Sequence, residues 1–95
     1  MRIPKSISVC DKPLTIRLED NLYDGKVKVD GIFKPASGEI VIDSGSNAES
    51  VLVHELIHAI LAYSIPGDWL SSRREEKIVL ALEHELHRLY RRRHR

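Results

Sequence analysis

Val51-Leu52-Val53-His54-Glu55-Leu56-Ile57-His58-Ala59-Ile60 sets two imidazoles and a carboxylate into an otherwise apolar run. The run reads as one helix, apolar all round and therefore buried. On a helix, positions four apart lie one above the other, so His54 and His58 can aim a ring nitrogen at one point. That point suits a zinc ion, for which imidazole is a good ligand. Glu55, one residue on from the first histidine, swings about 100° round the helix and reaches a water on the metal rather than the metal itself. The plainer alternative is a core helix whose histidines are satisfied by backbone groups, with Glu55 emerging at the surface. Burying two histidines and a glutamate without partners is costly, which favours the metal.

Upstream of this helix, Asp43-Ser44-Gly45-Ser46-Asn47 reads as a loop, and Ser46-Asn47-Ala48-Glu49 has capping-box spacing. The helix is expected from about Asn47 to Tyr63, ending before Pro66-Gly67. From Ile3 to Glu19, apolar residues alternate with polar ones around an Asp11-Lys12-Pro13 break, which gives two short strands or one bent one. Cys10 reads as a strand residue, and Tyr23 as the anchor of the turn-rich run Asp20 to Gly25. Val27 and Val29 alternate with polar residues, and Ile32-Phe33 pairs with Ile40-Val41-Ile42 as a hairpin across Pro35-Ala36-Ser37-Gly38.

Downstream, a second helix is expected from Ser71 or Ser72 to about Arg92, with Trp69 plugging the corner between the helices. Ile78, Val79, Leu82, Leu86 and Leu89 recur at three- and four-residue spacing and form an apolar stripe that packs on the first helix. A catalytic zinc site needs a third protein ligand, and Glu75 and Glu76 are the candidates. With Leu82 at zero, Glu75 falls at about 20°, inside the stripe, and Glu76 at about 120°, outside it. Glu75 is therefore the expected ligand and Glu76 the fallback. Ser72-Arg73-Arg74-Glu75 is also a capping box, in which Glu75 would tie off its own helix. By the same arithmetic His84 and His87 fall on the charged, solvated side.

The segment from Val51 to Ile60 fits the extended zincin signature of metallopeptidases. With the strand region before it and the Glu75-Glu76 helix after it, the chain resembles the ImmA/IrrE-type gluzincins, a group that includes many short phage and mobile-element proteins. The resemblance implies a zinc-dependent endopeptidase acting on a peptide or protein substrate, with two histidines and a downstream glutamate as ligands. It also implies that an edge strand before the metal helix holds the peptide by strand addition, and Glu39 to Asp43 is the expected strand. Tyr63 and Tyr90 are both available to hydrogen-bond a reaction intermediate, as a downstream Tyr or His does in that family.

The 95 residues make one domain, with 1-45 as the sheet, 46-64 as the metal helix, 71-92 as the second helix and 91-95 as a basic tail. The expected fold class is α+β, a small mostly antiparallel sheet followed by a buried helix and an amphipathic one. No apolar run is long enough to span a bilayer, and Met1 to Ser6 lacks the core of a secretory signal, so a cytoplasmic location is expected. A net charge of +1 argues against general nucleic-acid affinity. Two alternatives to the enzyme remain: a non-catalytic zinc-binding module, since the short chain offers little room for a substrate-cleft wall after the second helix, and a nucleic-acid accessory protein acting through the arginines at 88, 91, 92, 93 and 95.

Overall fold

The computed structural model describes residues 3–65 and 71–93. Its first two strands, β1 (Ser6–Val9) and β2 (Lys12–Glu19), pair antiparallel across the two-residue turn Cys10-Asp11. Both turn residues have positive φ, 51° and 63°. This is the handedness that a two-residue hairpin between right-twisted strands requires. Cys10 is thus a turn residue, and the expectation of a strand position for it is corrected.

A short ribbon follows, β3 (Tyr23–Asp24) against β4 (Val27–Lys28). Leu22, and not Tyr23, anchors it: Leu22 is buried while Tyr23 is exposed. Then come β5 (Gly31–Lys34) and β6 (Glu39–Asp43), the expected hairpin, with Phe33 opposite Ile40 and Ile32 opposite Val41. The main sheet has the order β1-β2-β6-β5, in which β2 and β6 run parallel and the other neighbours antiparallel. Hence β6 is interior and the edges are β1 and β5, which corrects the assignment of Glu39–Asp43 as an edge.

Two helices complete the chain, α1 (Ala48–Ser64) and α2 (Ser72–Arg93). The chain is therefore α+β, with a mostly antiparallel four-stranded sheet and two helices. Asn47 caps α1 by accepting from the Ser50 amide, while the Ser46 hydroxyl instead donates to the Asp43 carbonyl. Buried Asp43 holds this loop: one carboxylate oxygen accepts from the Leu22 amide at 3.0 Å and the other from the Gly45 amide at 3.2 Å. A buried acceptor with two amide partners fixes both chain ends that it joins.

The core lies between the sheet and α1. Val9, Leu14, Ile16, Ile40 and Ile42 pack with Leu52 and Ala59, and Leu56 and Tyr63 close over them. Along α1 the residues 52, 56, 59 and 63 recur at helical spacing, so one stripe of the helix serves the sheet. The helix is not buried all round, since Ile60 is exposed. In α2, Val79 is fully buried, whereas Leu82 and Leu86 remain 45% and 47% exposed. The face that meets α1 is thus centred nearer Val79 than on the expected leucine stripe. The expected Trp69 plug and the side chains of Leu89, Tyr90 and the arginine tail lie outside the described residues. Among the described residues, no helix is long and apolar enough to cross a membrane.

Candidate metal centre

His54 and His58 stand on adjacent turns of α1 with ring centroids 4.9 Å apart. Four carboxylates approach them: Glu55 from α1 itself, and Glu75, Glu76 and Glu83 from α2. Nε2 of His54 lies 3.5 Å from one Glu76 oxygen, and Nε2 of His58 lies 3.2 Å from the other. The opposite ring nitrogens have separate partners. Nδ1 of His58 lies 2.9 Å from Oε1 of Glu75, and Nδ1 of His54 lies 2.5 Å from Oε2 of Glu83.

An ionised carboxylate can only accept a hydrogen bond, so each Nδ1 that meets one carries the proton and donates. In a neutral ring this leaves Nε2 with a lone pair, and both such lone pairs face Glu76 oxygens, which are also acceptors. Acceptors at this separation repel unless a second ring proton or a bound cation sits between them. Among the described residues, none of Glu55, Glu75, Glu76 and Glu83 is paired with a lysine or arginine. One ring nitrogen from each histidine and a Glu76 oxygen lie within 4.8 Å of one another, close enough for a single cation to reach all three.

Glu55 is buried, and it lies where α1 meets the sheet edge. Burial pushes its carboxyl above the ordinary value; His54 and His58 oppose the shift, while Glu76 and Glu83 add to it. The close approach of β5 depends on Gly31. A Cβ there would come within 2.5 Å of Cγ1 of Val51 and 3.2 Å of the Glu55 side chain. A larger residue would push the strand off the helix. Gly31, Ile32 and Phe33 line one wall of an open cleft of about 490 Å³. His54, Glu55 and His58 from α1 and Glu75 and Glu76 from α2 line it as well.

All four residues singled out from sequence, His54, Glu55, His58 and Glu75, come together here, but Glu75 meets the Nδ1 side of His58 rather than the convergent Nε2 atoms. Its alternative role as a cap is not what the chain uses: the Ser71 hydroxyl accepts from the Arg74 amide, and the Ser71 carbonyl accepts from the Glu75 amide. Sequence reasoning missed Glu83. It lies seven and eight positions beyond Glu76 and Glu75, two turns along one face, and that spacing was the available signal. His87, expected on the solvated side, is half-buried and sits 3.9 Å from Glu83. Tyr63 packs edge-on against Phe33 and under Lys12, which occupies its ring on the sheet side. Comparison of the chain with protein-family models, curated proteins and solved structures returned no match.

Proposed function

We propose that this chain is a zinc-dependent metallopeptidase whose ion is held by Nε2 of His54, Nε2 of His58 and the Glu76 carboxylate. The observation that carries the reading is the convergence of those three groups, with the back of each imidazole tied to a second carboxylate. Two imidazoles and one carboxylate are a donor set used by catalytic zinc, and they leave a coordination position open. Glu76 replaces Glu75 as the proposed ligand because Glu75 meets His58 on the other side of the ring. Glu75 then serves by orienting His58, as carboxylates behind metal-binding histidines do.

Zinc, when bound, supplies a Lewis acid that polarises a peptide carbonyl and brings the pKa of water to about 7. Glu55 accepts a proton as water adds to the carbonyl carbon and returns it to the departing amine. Burial raises the proton affinity of the Glu55 carboxylate, the direction that favours its taking up a proton. At the end of the sheet, the outer edge of β5 runs beside the cleft and offers backbone amides and carbonyls. An extended peptide would add there as a further strand, held by main-chain hydrogen bonds and presented to Glu55. Gly31 keeps that peptide close to the histidines.

The test pairs metal content with hydrolysis of an unstructured protein substrate. Glu55→Gln is expected to keep zinc and lose cleavage, whereas Glu76→Ala loses both. A parent that binds zinc yet cleaves nothing would leave a non-catalytic zinc module in place of the enzyme.

A further inference from the structure

We propose that Glu83 and His87 act as a positioning pair for His54, holding the metal-facing nitrogen of that ring from a second cavity lined by the start of α1 and by α2. The inference rests on the metal-centre reading above and extends it to residues that touch neither ion nor substrate. Glu83 is half-buried and presents its two oxygens in different directions. Oε2 takes Nδ1 of His54 at 2.5 Å, and Oε1 faces Nε2 of His87 at 3.9 Å. That Nε2 is buried and has no hydrogen-bond partner.

A buried polar atom without a partner is costly, and the Glu83 carboxylate is the acceptor facing it. About 1 Å of closure makes the contact a hydrogen bond. The two imidazoles of the centre are therefore supported unequally. Glu75, behind His58, is the immediate neighbour of Glu76 and shares its mouth of the cleft. Glu83, behind His54, opens on a different cavity, of about 610 Å³, lined also by Asn47, Ser50, Leu80, His84 and His87. A carboxylate beside an open cavity can swing away from its histidine into water. Once that gap closes, His87 would remove that alternative by engaging the second oxygen. The consequence for His54 is a fixed tautomer and ring plane, with Nε2 free of its proton and aimed at the site.

The full-length chain, stripped of metal, is titrated with Zn²⁺ against a chromophoric chelator and with Co²⁺ by its visible absorption. Apo-protein melting is followed in parallel. Glu83→Ala is expected to weaken zinc binding about 10–100-fold, beyond any change in apo-protein melting. Glu83→Gln, whose amide oxygen still accepts from Nδ1, restores most of the affinity and the parental Co²⁺ spectrum. His87→Ala weakens binding less than Glu83→Ala and adds nothing in the Glu83→Ala background, because the pair works through one contact. Zinc affinity unchanged by Glu83→Ala, or additive losses in the double variant, overturns the pair while leaving the centre intact. If Glu83→Ala does not fold, unchanged affinity in His87→Ala overturns it. A parent that binds no zinc overturns the metal centre itself, and the pair with it.

Discussion

Where α1 meets the sheet, Leu52, Leu56, Ala59 and Tyr63 recur at helical spacing and pack on Val9, Leu14, Ile16, Ile40 and Ile42. Where the same helix meets α2, His54 and His58 face Glu75, Glu76 and Glu83, and Val79 is the fully buried apolar residue that the described part of α2 contributes. The first side gains from every methylene it removes from water, about 1.5–3 kcal/mol for a large aliphatic side chain. On the second, Glu75 and Glu83 are half-buried and Glu76 is exposed, and among the described residues none of them pairs with lysine or arginine, so the proposed cation would supply the balancing charge. One helix thus has a side that supplies stability and a side that, on the proposed reading, would gain stability when zinc binds.

The largest effect should fall on the first side. Leu14→Ala, at a fully buried site, is expected to cost about 2–5 kcal/mol. Urea denaturation should give the same loss with and without zinc. Equal losses would separate the two sides; a loss confined to the zinc-loaded protein would merge them.

Next in size is the response to metal. Zinc at a hundredfold excess over its dissociation constant should stabilise the fold by about 2.7 kcal/mol. Chelation should raise hydrogen exchange in α2 before it does so in β2 and β6, since α2 depends on the polar contacts. Uniform protection across both regions after chelation would contradict the division.

Gly31 lies at the junction of the two sides, under Val51 and Glu55. Gly31→Ala should cost about 1–3 kcal/mol through overpacking and should also lower hydrolysis by displacing Glu55. Stability lost without any change in turnover would place Gly31 with the packing side alone.

The smallest effect concerns pH. Burial raises the Glu55 carboxyl, so its protonated form favours the folded state. That contribution is complete below its ordinary value of 4.5 and is lost as pH rises through the folded value. Zinc-free Glu55→Gln should therefore melt above the zinc-free parent at neutral pH, and the gap should close below pH 4.5. Melting curves that keep a constant gap across that range would mean that Glu55 is not desolvated.

Much of this was legible in local pattern. Helix α1, its approximate ends, the hairpin of β5 with β6 and the span of α2 all follow from turn residues and periodicity, which are properties of neighbouring positions. The parallel pairing of β2 with β6 joins residues far apart in sequence, and it is what moves β6 inward and leaves β5 at the edge. The choice between Glu75 and Glu76 turned on which face of α2 is inward. Leu82, the reference taken from the apolar stripe, is half exposed, and Val79 is the buried residue of that face. Referred to Val79 instead, Glu75, Glu76 and Glu83 all fall within about 60° of the inward direction. A helix whose inner face is made of carboxylates hides that face from any rule that looks for apolar residues.

Zinc content of the purified protein is the most direct measurement. Parent protein, dialysed against trace zinc and assayed by elemental mass spectrometry beside His54→Ala and His58→Ala, should hold equimolar zinc, and either variant should lose it while keeping its sheet. Sub-stoichiometric zinc in the parent, or zinc retained undiminished in both variants, would contradict a centre built on those two imidazoles.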